Sequence, residues 1–135
     1  MLKIIFIIAI LITAQIGFTQ DINFFEGTFE EALEEAKRTK KPLFVDFYAD
    51  WCLPCKQMEK YSFNNEVFSE LINTKFLPLK IDIQYFWGLD VAESYDVSLY
   101  PTILFTDKKG KMLERLQGFQ SAEELIFAAQ KVLKL

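Results

Sequence analysis

The sequence predicts an α/β fold with a central mixed sheet, in which a parallel βαβ half adjoins an antiparallel β-hairpin and helices cover both faces. Three observations lead to that prediction. Two apolar runs rich in β-branched and aromatic residues, 43–49 and 75–83, are separated by sequence with helical periodicity, which is typical of parallel strands. A turn-forming segment at 107–110 separates two further runs, 103–106 and 111–117, which is typical of a hairpin. Amphipathic segments near both ends of the chain supply further helices for the two faces of the sheet.

Length and charge limit the classes of function. The chain has 135 residues, which fits one domain, and it contains no repeat, low-complexity tract or interdomain linker. Its formal net charge of −4 argues against a nucleic-acid surface. Because the sequence has no histidine, Ser-His and Cys-His catalytic pairs are excluded, and two cysteines cannot complete a four-thiolate metal site within one chain. A metal site shared by two copies stays open, but we expect a monomer without metal or cofactor.

The N-terminal segment, residues 1–19, is predicted to be a secretory signal peptide. A short positive start precedes an unbroken apolar run at 4–12, and small and polar residues follow it. Cleavage after Ala14 and cleavage after Thr19 both fit the pattern, and we favour the second. A retained membrane anchor is the alternative, although the apolar stretch is shorter than the roughly 20 residues that a spanning helix needs. The sequence therefore predicts an exported protein with its domain at 21–135.

The segment before the first long strand is predicted to hold a short strand and a helix. Residues 21–26 are interpreted as the strand. Thr28 is a good N-cap and Glu31 stands three residues later, which is the pattern of a capping box. The helix then continues to about Thr39, before a Lys-Lys-Pro break. Its apolar side chains fall on one face: Phe29, Ala32, Leu33 and Ala36.

Two helices are predicted between the first and second long strands. Residues 52–60 form the first of them, and Pro54 fits its opening turn, where the missing N–H would have no helical partner. Residues 61–65 are expected to end this helix. Either Asn64 or Asn65 then caps a second, short helix.

The second half of the chain is predicted to add a helix, the hairpin and a final helix. Pro78 lies inside the second long strand and predicts an edge position or an irregular entry. Residues 85–95 have a helical pattern that Gly88 weakens, and Trp87 and the phenylalanine beside it are expected in the core. A second capping box and an inward apolar face define the last helix: Ser121 with Glu124, then Leu125, Ile126, Ala129 and Val132.

The two cysteines of the chain, Cys52 and Cys55, are separated by two residues and directly follow the first long strand. Cys52 is expected at the strand-to-helix junction, nearer the solvent than Cys55, and the positive end of the helix dipole favours its thiolate there. Cys55 is expected one turn inside the helix. A bridge between them closes a very short loop and would stabilise the fold little. The spacing therefore predicts a redox-active pair rather than a structural disulfide.

The sequence around this pair resembles a known family. Residues 45–56, which include Tyr48-Ala49-Asp50-Trp51 before the first cysteine, resemble the active-site segment of thioredoxins. With residues 56–63 included, the stretch resembles the C-terminal thioredoxin-like domain of the bacterial thiol:disulfide interchange protein DsbD more than it resembles thioredoxin. The resemblance implies a thioredoxin-like fold and a periplasmic protein-disulfide reductase that exchanges thiols and disulfides with other proteins. A membrane donor would supply its electrons, and a second thioredoxin-like protein could receive them. An oxidase or isomerase is one alternative, and a non-catalytic binding module is another.

The resemblance also implies roles for acidic residues near the pair. Cys52 would attack a disulfide and Cys55 would resolve the mixed disulfide. Asp46 lies in an apolar strand, where a carboxylate needs an explanation, and it matches the buried acid that accepts the proton of the resolving thiol. Glu59 matches a second acid of the DsbD domain, with a solvated surface charge as the alternative. Lys80 matches a lysine near the buried acid, with a surface lysine as the alternative.

Three further residues are expected to contact the substrate. Tyr100-Pro101-Thr102 resembles the cis-proline loop of thioredoxin-like proteins, which implies that Tyr100 and Pro101 face the cysteines and pair with the bound partner. An ordinary trans turn before a strand is the alternative. Tyrosine departs from the aliphatic residue usual before this proline, which leaves the choice of partner open. Trp51 is expected to pack beside the cysteine pair and shield it.

Overall fold

The computed structural model describes residues 21–135. The predicted signal peptide at 1–19 lies outside these residues. Within residues 21–135, none of the helices combines the length and apolar character needed to cross a bilayer.

Within residues 21–135, five α-helices surround a four-stranded mixed sheet, and this confirms the predicted fold class. The strands stand in the order β2-β1-β3-β4, with β1 and β2 parallel and the other two pairs antiparallel. The strands are β1 (Leu43–Tyr48), β2 (Leu77–Asp82), β3 (Thr102–Thr106) and β4 (Met112–Gln117). The helices are α1 (Phe29–Thr39), α2 (Leu53–Met58), α3 (Glu66–Lys75), α4 (Phe86–Ser94) and α5 (Ala122–Val132).

Strand β1 is central and buried on both faces, which explains its unbroken apolar sequence. Val45 and Phe47 point to one face, where they pack with side chains of α1 and α4. Phe44 points to the other face, where it packs with side chains of α2, α3 and α5. Asp46 shares the face of Phe44, because side chains alternate along a strand. The acid therefore lies on the side of the sheet that α2 covers.

The predicted helix caps are confirmed. Thr28 and Glu31 form a reciprocal capping box at α1, and Ser121 and Glu124 form another at α5. At α3 it is Asn65, not its neighbour, that caps the helix, with its side-chain oxygen 3.0 Å from the N–H of Phe68. Each cap satisfies an N–H group that has no partner within its own helix.

The predicted strand at 21–26 is wrong, because this segment has no strand structure. One backbone hydrogen bond joins it to the sheet, from the N–H of Phe25 to the carbonyl of Pro78 at 2.8 Å. In a strand, the N–H and C=O of one residue point to the same side. Because Pro78 has no N–H, it cannot donate a hydrogen bond back to the carbonyl of Phe25, and a strand ladder does not form here. The prediction that Pro78 marks an edge is confirmed, since β2 is an edge strand of the sheet.

The helix that carries the cysteines continues further than predicted. After Met58 the chain does not break but passes into a π-helical turn, Glu59–Phe63. The wider turn places Phe63 in the core against Phe44, with ring centroids 5.8 Å apart. It also buries Ser62, whose hydroxyl donates a hydrogen bond to the carbonyl of Gln120 at 2.5 Å.

The expectation that Trp87 and its neighbouring phenylalanine belong to the core is wrong. Phe86 is 89% exposed and Trp87 is 42% exposed. The reason is Gly88, which faces the sheet so closely that a Cβ there would collide with the carbonyl oxygen of Asp82. Glycine thus permits the close approach of α4 to β2 and turns the aromatic side chains outward.

Candidate active site

The two cysteines form a disulfide at the start of α2. Cys52 is the N-cap residue of that helix and has an extended backbone. Its sulfur is bonded to that of Cys55, and the two Cα atoms are 5.3 Å apart. The backbone N–H of Cys55 points at the Cys52 sulfur, with the two atoms 3.3 Å apart. This N–H group would stabilise negative charge on Cys52 once the bond is reduced.

The two cysteines are buried to nearly the same degree. Cys52 is 3% exposed and Cys55 is 4% exposed, so the expected greater exposure of Cys52 is wrong for the disulfide form. The cause is their surroundings: both pack with Ala49 and are covered by the side chains of Tyr48 and Tyr100. Their position along α2 and the N–H group on Cys52 distinguish the two residues.

The loop before β3 lies against the cysteines. The Tyr100–Pro101 peptide bond is cis, as the resemblance predicted, and the trans alternative is excluded. The half-buried Tyr100 packs on the cluster formed by the two cysteines and Ala49. The carbonyl of Pro101 accepts a hydrogen bond from the N–H of Gly118 at 2.8 Å, which ties this loop to the end of β4.

Trp51 lies beside the pair but does not enclose it. Its ring meets that of Tyr100 edge to face, with centroids 6.4 Å apart, and 68% of the residue is exposed. The loop that carries it is held by Gln84, whose side-chain oxygen is 2.6 Å from the N–H of Asp50. Gln84 was not predicted, because no local pattern in the sequence links it to a loop 34 positions earlier.

Asp46 is a buried acid on the face of the sheet that α2 covers. It is 2% exposed, and loss of solvation raises the pKa of its carboxyl from 3.8 to about 7, against the opposing attraction of Lys80. Within residues 21–135, no donor reaches its Oδ1 atom. A carboxyl in this setting can bind or release a proton near neutral pH.

Lys80 links Asp46 to Glu59. Parallel pairing places Lys80 directly beside Asp46, and its ammonium group forms an ion pair with the Glu59 carboxylate. The lysine is no free surface charge, because its side chain is only 22% exposed and burial lowers its pKa. Its Nζ atom also lies 4.2 Å from the ring centroid of Tyr48. The pairing of 43–49 with 75–83 was predicted, but the register that sets this contact was not.

Comparison with known proteins agrees with this geometry. A family model described as a thioredoxin-like domain matches residues 29–133. The chain belongs to the thioredoxin-like family. A curated member, the thiol:disulfide interchange protein DsbD of Pseudoalteromonas atlantica, is 34% identical over 108 residues, which are 78% of this chain and 18% of that protein. The chain thus spans about a fifth of the length of such relatives.

Solved structures of the thioredoxin-like family also match. The putative disulphide-isomerase from Bacteroides thetaiotaomicron is 34% identical, with a TM-score of 0.75 over 86% of this chain and 96% of that one. The reduced C-terminal domain of DsbD from Neisseria meningitidis is 25% identical, with a TM-score of 0.64 over 76% of this chain and 91% of that one. The similarity to the DsbD domain extends to the fold as well as the cysteine segment.

Proposed function

We propose that this thioredoxin-like chain is a thiol:disulfide oxidoreductase that reduces disulfides in partner proteins outside the cytoplasm. The observation that carries the proposal is the Cys52–Cys55 disulfide at the N-terminus of α2, with the cis-proline loop packed against it. The 34% sequence identity to DsbD, whose name describes thiol:disulfide interchange, supports oxidoreductase activity. A disulfide that closes so short a loop stabilises a fold little, which favours a redox use of the pair.

The reaction exchanges one disulfide for another. In the reduced protein, the thiolate of Cys52 attacks one sulfur of the substrate disulfide and forms a mixed disulfide, while the other substrate sulfur leaves as a thiolate and takes up a proton. Cys55 then loses its proton and attacks Cys52, which releases the second substrate thiol. The substrate gains two electrons and two protons, and the protein becomes the disulfide described above.

Acidic residues assist the second step. Asp46 accepts the proton of Cys55, and a carboxyl with a pKa of about 7 can do this near neutral pH. Glu59 acts through Lys80, since it holds the ammonium group that lies beside Asp46. The lysine thereby moderates the rise in the pKa of Asp46 that burial causes.

Substrate contacts come from the surface around the pair. Trp51 offers an exposed ring, and Tyr100 and Pro101 present the loop on which an extended segment of the partner can lie. Residues 21–135 would act as a monomeric domain after the signal peptide at 1–19 directs the protein to the periplasm, with a membrane anchor as the alternative. The electrons would come from a membrane donor or pass through a second thioredoxin-like protein.

Disulfide isomerisation is a second candidate function. The similarity to the putative disulphide-isomerase favours it, because that protein is 34% identical to this chain. Isomerisation uses the same attack by Cys52 but returns the electrons to the substrate, so it needs no net supply of reductant.

A trapping experiment tests the proposed function. Cys55→Ala should stop the reaction at the mixed disulfide, because the resolving thiolate is absent, and non-reducing gels from the native cell should show partner proteins bonded to Cys52. The matched variant Cys52→Ala should trap little. Equal trapping by both variants would show that the assigned roles are wrong. Failure of the purified wild-type protein to reduce insulin disulfides would instead favour a binding module.

A further inference from the structure

An exposed aromatic turn adjoins the redox site. We define it as Tyr85, Phe86 and Trp87, which are 61%, 89% and 42% exposed. Runs of consecutive exposed apolar residues are unfavourable in a soluble protein unless they serve a function. Aromatic side chains are also the type most enriched where proteins meet.

The turn occupies a position where a capping residue would stabilise the helix. Tyr85 is the N-cap residue of α4 and makes no side-chain cap hydrogen bond. The other described α-helices are capped by a side chain, at Thr28, Cys52, Asn65 and Ser121. A polar N-cap side chain contributes about 1 kcal/mol to helix stability, so α4 is less stable with an aromatic residue at this position. Local structure therefore does not explain the tyrosine.

The aromatic turn is continuous with the redox site. The side-chain oxygen of Gln84, the residue before the turn, accepts a hydrogen bond from the backbone N–H of Asp50, which is two positions before Cys52. The N–H of Ile83 donates to the carbonyl of Tyr48 at 3.0 Å. These two bonds place the turn beside the loop that carries Trp51, on the side formed by β2 and α4. A partner that reaches the cysteines can contact the turn at the same time.

The charge around the aromatic turn is acidic. Residues 81–107 contain no lysine or arginine, and the exposed side chains of Asp90 and Glu93 follow the turn on α4. A groove of about 310 Å³ between α1 and α4 continues the surface, and its lining includes Trp87, Asp90 and Glu30. An aromatic face with carboxylates beside it suits the side chain of a lysine or arginine.

From this geometry we infer that the aromatic turn docks the protein substrate through a basic and apolar segment next to the substrate's disulfide. This inference rests on the proposed function. Apolar side chains of the segment cover Tyr85 and Phe86, and its lysine or arginine side chains meet Asp90, Glu93 and the groove. The surface lies outside the contacts of Tyr100 and Pro101 and selects the partner by charge.

Two synthetic peptides with one internal disulfide test the inference. They have the same length and apolar residues, but one carries lysine and arginine and the other carries glutamate and aspartate. The reduced wild-type protein should react with the basic peptide about tenfold faster at low salt, and the preference should shrink as ionic strength rises. Equal rates, or a preference for the acidic peptide, would overturn the inference.

Variants identify the surface responsible. Phe86→Ser should lower the rate with the basic peptide by about tenfold relative to the rate with 5,5′-dithiobis(2-nitrobenzoate), a small disulfide. Tyr85→Ser provides the same test with a residue that can cap α4, and the double variant Asp90→Asn with Glu93→Gln should weaken the charge preference. The matched control is Phe127→Ser, which removes a 72% exposed ring on α5 and should change neither rate.

The outcomes separate this inference from the proposed function. If wild-type protein reduces the small disulfide and both peptides without preference, or Phe86→Ser leaves the ratio unchanged, only the docking inference is overturned. If wild-type protein reduces none of the three disulfides, the proposed function is overturned and the inference with it. Thermal unfolding of each variant checks that the exposed substitutions leave the fold intact.

Discussion

At the scale of single residues, Asp46 differs from an ordinary aspartate because of its position in β1. Burial raises the pKa of its carboxyl to about 7, and Lys80 from the neighbouring strand opposes the rise. Each pKa unit corresponds to about 1.4 kcal/mol of preference for one protonation state. The folded protein therefore holds the Asp46 proton more tightly than the unfolded chain does, and ionising this acid costs stability.

Asp46→Asn should make the oxidised protein more stable at pH 8 than the wild type, by up to about 4 kcal/mol. The folded pKa lies above the unfolded value, so the wild type loses stability as pH rises from about 4 to 7, and the variant lacks this loss. Near pH 4 the difference should almost vanish. Urea denaturation at pH 4 and pH 8 measures it, with Asp21→Asn as the exposed control.

The same Asp46→Asn variant should reduce disulfides more slowly near neutral pH. The reason is that Cys55 no longer has a proton acceptor, whereas the attacking thiolate of Cys52 is not directly affected. Stopped-flow measurement of substrate reduction across pH 6–9 tests this role. A rate profile identical to that of the wild type would contradict it, even if the stability difference is found.

At the scale of elements, α4 shows how one residue sets the orientation of a helix. Its buried residues are Gly88, Val91 and Ala92, which are small enough to let the helix lie close to β2. This close packing directs the aromatic turn outward. The π-helical turn after α2 has a comparable effect, because it carries Ser62 and Phe63 into the core.

Gly88→Ala should destabilise the protein, although alanine normally favours a helix over glycine by about 1 kcal/mol. The added Cβ would collide with the carbonyl of Asp82, and such overpacking costs typically about 1–3 kcal/mol. The free energy of unfolding from urea denaturation tests this. Gln130→Ala, at an exposed position of α5, should change it by no more than about 0.5 kcal/mol. Equal or higher stability of Gly88→Ala would mean that α4 does not approach β2 so closely.

At the scale of the whole molecule, the fold presents the cysteines at one end of a sheet that is covered on both faces. The reduction potential of such a pair measures how much more stable the whole protein is in one redox form than in the other. The surroundings in both forms therefore contribute, including the N–H group on Cys52 and the buried acid. The proposed reductive function requires a reducing couple.

The reduction potential should lie nearer to the value of about −270 mV found for thioredoxin than to the value of about −120 mV of the oxidant DsbA. Equilibration with defined glutathione mixtures, read from the fraction of oxidised protein, measures it. Denaturation of the oxidised and reduced forms gives an independent check through the thermodynamic cycle. A value near the oxidising end would contradict a reductive role and favour the alternatives, without affecting the fold.

Local interactions account for the features that were predicted well from the sequence. The capping boxes at Thr28 and Ser121 join residues three positions apart, so their geometry follows from the helix itself. The placement of Cys52 at a helix start follows from the apolar strand that precedes it and from Pro54, which follows it. These signals lie within a few residues of the structure they specify, which is why they need no knowledge of the rest of the chain.

By itself, the sequence determined the mixed sheet, the helices on both faces, the cysteine pair at the start of a helix and the acid within an apolar strand. Each of these depends on periodicity or on a short motif. Tertiary structure alone decided the contact between Lys80 and Glu59, the equal burial of the cysteines and the outward face of the aromatic turn. These depend on strand register and on the distance between packed elements. An apolar residue in a helix can face the core or a partner, and only the packing of Gly88 on β2 determines which side Phe86 takes.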